Sequence, residues 1–103
     1  MFLNDKEEAI IGKFLSHADE YDYEDMELLW KDGSKIVATY VSNYEDSNDK
    51  IKGQDGYEEY TSFVFDVIDV WGTPPVLISE QDGFCLNYHN FPDEIIKDGE
   101  KLN

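Results

Sequence analysis

The 103-residue chain contains no arginine, and its eight lysines stand against 24 aspartates and glutamates, for a formal net charge of −16. A surface that grips phosphates depends on Lys and Arg, and the direct reading of guanine relies mostly on Arg, so the composition argues against DNA or RNA as a partner. The same sign disfavours an anionic membrane. A single cysteine, Cys85, excludes an intramolecular disulfide, and no basic start leads into an apolar run of the kind that directs secretion. A reducing, cytoplasmic setting is the expectation. Uninterrupted apolar runs extend for only a few residues, against the ~20 needed to cross a bilayer.

Residue sets that carry chemistry are also scarce. Two histidines and one cysteine do not make a zinc cluster at any recognisable spacing. If Gly53 is the sixth position of a calcium loop, positions three and five are Lys50 and Lys52, and Gly56 would put Ile51 first; both fail the oxygen-ligand pattern. There is no Gly-rich phosphate loop and no nucleophile elbow. Cys85, Asn87 and His89 alternate along one expected strand, but residues four apart on a strand lie ~13 Å apart, too far for a thiol–imidazole hydrogen bond. Cys85 reads as a small apolar residue packed on a strand. Asp66 and Asp69 fall on opposite faces of a regular strand and cannot form a facing acid–base pair. No catalytic, metal or cofactor site is expected, and the chain does not read as an enzyme.

What the chain does have is β-favouring sequence. Tyr57 to Trp71, YEEYTSFVFDVIDVW, is its longest apolar and aromatic stretch and predicts the central strand, with cover on both faces toward its C-terminal end. Asn4 with Glu7 three residues later is a capping-box arrangement. It opens a helix over about 5–18 whose stripe is Ile11, Phe14, Leu15 and Ala18. Asp32-Gly33 between MELLW and KIVATYV predicts a tight hairpin, with Trp30 opposite Lys35, Leu29 opposite Ile36 and Leu28 opposite Val37. Residues 42–56 read as a mobile polar loop. Val76–Ser79 and Phe84–His89 read as a second hairpin, Pro92 to Lys97 as a short helical turn, and 98–103 as a frayed tail.

These elements predict one α+β domain over residues 1–103. An N-terminal helix packs on a strongly bent, five-stranded, mainly antiparallel sheet, either open or curled into a small, partly closed barrel, followed by a C-terminal helical turn. The expected core is Phe14, Leu15, Val37, Phe63, Phe65, Val67, Leu86 and Ile95.

One pattern points to function. Tyrosines sit among acids in three places: Asp19-Glu20-Tyr21-Asp22-Tyr23, Tyr44-Glu45-Asp46 and Tyr57-Glu58-Glu59-Tyr60. Tyrosine provides contact area at small entropic cost, and carboxylates around it steer and pair the Lys and Arg of a partner. If the three converge, they form a surface for a basic protein, as in an antitoxin or immunity-type inhibitor. A DNA mimic that presents carboxylates in place of phosphates is an alternative. So is an accessory or structural module whose acidity serves only solubility, while a hydrolase built on Asp66 or Asp69 comes last. A net charge of −16 on so small a domain is self-repelling, and carboxylates crowded in this way are expected to titrate above their ordinary range. Raising sodium chloride from about 0.02 to about 0.3 M should therefore raise the melting temperature in a calorimetric scan. A fall instead would reveal a net favourable pairing network.

Overall fold

The computed structural model describes residues 3–103. Helix α1 (Asp5–His17) runs into a 3-10 turn (Ala18–Tyr21) and is followed by strands β1 (Asp25–Leu29), β2 (Lys35–Ser47), β3 (Glu59–Trp71), β4 (Gly83–Leu86), β5 (Glu94–Lys97) and β6 (Glu100–Lys101). The strands form one antiparallel sheet in the order β4-β3-β2-β1-β5-β6, open at both edges and not closed into a barrel. The helix covers one face. The architecture is α+β with six strands rather than five.

The helix starts as its sequence dictates. Asn4 accepts from the amides of Lys6 and Glu7, and Asp5, Glu7 and Glu8 occupy the first turn, where the helix dipole favours negative charge. Glu7 does not complete a capping box onto Asn4. Its fully buried carboxylate accepts from the Leu3 amide (2.7 Å), the Thr61 amide (2.8 Å) and the Thr61 hydroxyl (3.3 Å). A buried charge is costly unless hydrogen-bonded, so these three donors lock the start of the helix onto β3.

The Phe14 ring sits at the centre of the core, 5.3–6.4 Å from the rings of Tyr21, Tyr40, Phe63, Phe65 and Phe91. Ile11, Ala18, Met26, Leu28, Ile36 and Ala38 complete the helix-facing layer. Of the expected core, Phe14, Phe63, Phe65, Leu86 and Ile95 are buried, and Leu15 and Val67 are partly so. Val37 is not part of this layer, because it lies opposite Asp69 on the other face.

The Asp32-Gly33 hairpin forms one register step away from expectation. Gly33 (φ +90°) donates to the Trp30 carbonyl and Trp30 donates to that of Ser34, so the loop has three residues, and Leu29 lies opposite Lys35 and Leu28 opposite Ile36. A one-residue slip exchanges the two faces of a strand. Only this register buries Met26, Leu28 and Trp30 beside Ile36, Ala38 and Tyr40.

Other expectations are corrected. Residues 42–47 are strand, because β2 continues until Ser47 lies opposite Glu59, so the loop begins only at Asn48. Val76–Ser79 is irregular. Gly83–Leu86 pairs with β3 instead, so no second hairpin forms. The helical turn at 92–97 is strand β5, which sets Ile95 opposite Leu28 in the core. The tail is not frayed, for it adds β6 and buries Leu102. The C-terminal end of β3 lacks cover on its outer face, with Ile68 53% and Trp71 46% exposed.

The Phe65 ring is fully buried and meets the rings of Phe14, Tyr40 and Phe84. Phe65→Ala should lose about 3–5 kcal/mol in urea denaturation, and a loss below about 1 kcal/mol would contradict its place at the centre of the sheet.

Candidate functional site

Two irregularities in the β2–β3 pairing decide which side chains share a surface. Val37 lies opposite Asp69 and Ala38 opposite Val67, which leaves Ile68 as an extra residue on β3. Asp66 and Asp69 therefore both face the uncovered side of the sheet, opposite Thr39 and Val37, and not opposite sides as strict alternation implied. On β2, Tyr40 lies opposite Phe65 and Ser42 opposite Val64, so Val41 is the extra residue. Beyond it the inward set changes from even to odd positions, and Tyr44 and Asp46 emerge on the uncovered face.

Two of the three Tyr-acid segments meet there. Asp46 lies opposite Tyr60, Glu45 opposite Thr61 and Ser47 opposite Glu59, at the far end of the β2–β3 ribbon, beyond the start of β1. The Asp46 carboxylate accepts from the Ser62 hydroxyl at 3.0 Å and the Tyr44 hydroxyl at 3.3 Å. Glu58 accepts from the Tyr88 hydroxyl, and its other oxygen lies 2.6 Å from His89 Nε2. The His89 ring lies 4.1 Å from that of Tyr88, tilted by 33°, and meets Tyr60 edge-on at 6.0 Å. Tyr57 is half-buried at the head of this segment. Glu45 and Glu59 are exposed, and they alternate with Tyr44, Asp46 and Tyr60 along their strands.

The third segment lies elsewhere. Tyr21 stacks on Phe14 at 5.5 Å and borders a hollow shared with His17, Glu20 and Glu100, near the β6 edge of the sheet. Glu20 is engaged with His17 Nδ1 at 2.8 Å. Asp19 and Asp22 are exposed, and Tyr23 is 76% exposed in a left-handed turn with its amide donating to the Tyr40 carbonyl. Glu20 and Tyr21 thus lie toward the β6 edge, while Tyr23 is joined to β2 at Tyr40, ahead of the Tyr44 segment.

Burial and local hydrogen bonds shift three groups of the site from their ordinary values. Burial, then the hydrogen bond to Cys85 and nearby Asp46, pushes the Tyr44 hydroxyl up to about 12. Burial and the bond to Glu58 push Tyr88 up to about 12 as well. Burial alone would raise Glu58, but the Tyr88 and His89 hydrogen bonds, with the charges of His89 and Lys6, outweigh it and hold the carboxyl below its ordinary range. Asp32 is also lowered, by Ser34. These two carboxylates run opposite to the upward shift that crowding alone implied, because local donors, joined at Glu58 by nearby cations, outweigh burial.

Cys85 is exposed on β4 with its sulfur 3.9 Å from the Tyr44 hydroxyl, not buried as its composition class implied. His89 lies outside the strand, in the turn after β4, where the Asn87 side chain accepts from its amide. His17 belongs to the hollow near β6, at the other edge of the sheet from Cys85. Among the described residues no group of three or more His, Cys, Asp or Glu is placed to hold a metal ion, and no helix is long and apolar enough to cross a membrane.

Sequence reasoning missed one feature that the sequence does carry. From Gly53 to Ile96 there is no lysine, so β3, β4 and the segments around them supply carboxylates without a cation of their own. The lysines that form ion pairs are Lys31 with Asp93, Lys35 with Glu27, and Lys97 with Glu24 and Asp98, all away from the ribbon end. Among the described residues only His89 pairs with a carboxylate of the two joined segments. No protein-family model matches the chain, and no curated protein or solved structure shows significant similarity to it.

The raised phenols make stability depend on alkaline pH. Between the unfolded value of 10.0 and the folded value of about 12, the unfolded chain releases protons that Tyr44 and Tyr88 retain in the fold. Their contribution is fully present below pH 10 and is lost as pH rises through about 12. Urea denaturation at successive pH values should show stability falling over this window, with a shallower fall in the Tyr44→Phe/Tyr88→Phe variant. Parallel curves for variant and wild type would refute the assignment.

Proposed function

We propose that the protein is a non-enzymatic, cytoplasmic binding protein that covers a basic surface of another protein, as an antitoxin or immunity-type inhibitor does. The observation that carries this reading is the cross-strand pairing that sets Tyr44 and Asp46 beside Tyr60 and Glu58, with Glu45 and Glu59 exposed on the other face of the same ribbon end; among the described residues no lysine forms an ion pair with these carboxylates, and the charges of His89 and Lys6 act on Glu58. Carboxylates left without internal cations repel one another, and that repulsion is relieved when Lys and Arg of a partner arrive. The rings of Tyr44 and Tyr60 are held in place by Asp46, Cys85 and His89, so they present contact area with little ordering left to do. Asp19, Glu20, Tyr21, Asp22 and Tyr23 would extend this surface only from the Tyr23 end, where the chain is bonded to Tyr40 of β2.

Association with such a partner should be steered by charge. Its on-rate should fall steeply as salt rises above ~0.15 M, where the screening length is ~8 Å, while the off-rate depends more on the rings. Partners co-purified from the native cell should be basic, and their on-rates in stopped flow should drop for Glu45→Gln/Asp46→Asn/Glu59→Gln. Tyr60→Ala should mainly speed dissociation. Recovery of no basic partner, or equal binding of the neutralised variant, would overturn the proposal.

A further inference from the structure

Beside the acidic ribbon lies an apolar groove of about 880 Å³, formed where the irregular segment 74–79 runs along the outer edge of β4. Val64, Pro75, Val76, Leu77, Phe84 and Cys85 line it. Leu77 is 94% exposed, the most of any large apolar side chain described, so it stands in water on the rim instead of filling the groove. Carboxylates surround this apolar floor. Asp66 lies opposite Gly83, itself a lining residue, and Glu80 and Asp82 belong to the turn between Ser79 and Gly83. No lysine occurs between residues 53 and 96 to offset them.

The edge itself is half closed. The Ser79 amide donates to the Gly83 carbonyl, the Ser79 hydroxyl accepts from the Gly83 amide, and Asn90 Nδ2 reaches the Cys85 carbonyl. The Cys85 amide is on the outer edge as well, because Val67 bonds to the Asp82 carbonyl and pairing alternates from there, and it has no partner among the described residues. A long added strand is therefore blocked at Ser79, whereas a short extended segment that inserts one side chain is not.

We propose that this groove takes an apolar side chain from an extended, lysine- or arginine-bearing segment of a protein partner, with the flanking cations meeting Asp66, Glu80 and Asp82. The inference rests on the reading of the protein as a binder of basic proteins and identifies the apolar anchor of that surface. Charge complementarity selects the occupant: a second copy of a chain carrying −16 is repelled, while a basic segment is drawn in. Cys85 joins the two regions, since it lines the groove and also contacts the Tyr44 hydroxyl, so one partner can lie on both. Interfaces concentrate their energy in such desolvated pockets, with polar groups around them excluding water.

The test is a titration of isotopically labelled protein, read as amide chemical shifts, with three synthetic peptides: Lys-Leu-Lys-Val-Lys, Lys-Ser-Lys-Ser-Lys and Gln-Leu-Gln-Val-Gln. The first should move the amides of Leu77, Ser79, Gly83 and Cys85 and bind about tenfold or more tightly than either control, since a buried leucine and the paired charges each contribute at least that much. Leu77→Ser, at a solvent-exposed position, and Asp66→Asn/Asp82→Asn should each erase most of that preference while the remaining spectrum stays unchanged. Equal binding of all three peptides would overturn the groove's role, as would shifts of its amides with protein concentration alone, which would mark a second copy as its occupant. Shifts confined to Tyr44, Asp46 and Tyr60 would overturn the groove and leave the acidic ribbon standing as a binding surface. No shifts anywhere at millimolar peptide would overturn both.

Discussion

The register of β2 against β3 is the constraint on which the remaining structure depends. In a strand every side chain belongs to one face or the other, and a single inserted residue reverses the assignment of everything beyond it. With Ile68 and Val41 as the insertions, Val67 and Val70 both reach the helix side, Asp66 and Asp69 share the opposite one, and Tyr44 and Asp46 turn outward where Tyr40 two turns of the pleat earlier was buried. A regular ladder would have placed a carboxylate against the helix. The insertions let one ribbon carry a core layer and an anionic surface along its whole length.

The helix is held to that ribbon by two kinds of interaction. Phe14 inserts among aromatic rings from both long strands, which supplies apolar burial without directional demand. The buried Glu7 carboxylate, with its three donors from Leu3 and Thr61, supplies direction. A buried anion without its donors is far more costly than an exposed one, so this contact specifies where along β3 the helix begins. The cap at Asn4 belongs to the same junction, since its side-chain amide also donates to the Glu59 carbonyl.

The distribution of charge follows from the same topology. Lysines placed early and late in the chain pair with an acid on β1 and with acids flanking β1 and β5, while the middle of the chain brings only acids to β3 and β4. One half of the sheet thereby has lysines interspersed among its acids, and the other has acids alone. The anionic half also carries the exposed Ile68, Trp71 and Leu77, so its apolar and acidic groups are interleaved.

Local signals were legible in the sequence where the physics is local. The Asn4 cap, the stripe of Ile11, Phe14 and Ala18, the positive-φ glycine at the first turn and the β character of residues 59–71 each depend on neighbours a few positions away, and all four are present. The tyrosines among acids at 44–46 and 57–60 could also be marked, because composition alone does it. Pairing, by contrast, is a competition between distant segments. Residues 42–47 are polar enough to read as loop and become strand only because β3 offers an edge. Glu94–Lys97 is too short to declare its conformation and becomes strand because β1 does the same. The sequence by itself determined the fold class, the anionic character and which residues could form a core. Tertiary structure alone decided the faces on which Asp66, Asp69, Tyr44 and Val37 lie, the placing of Tyr21 toward β6 and of Tyr23 on β2, and the groove beside β4, because each of these depends on register, and register is set by long-range pairing that no local stretch encodes.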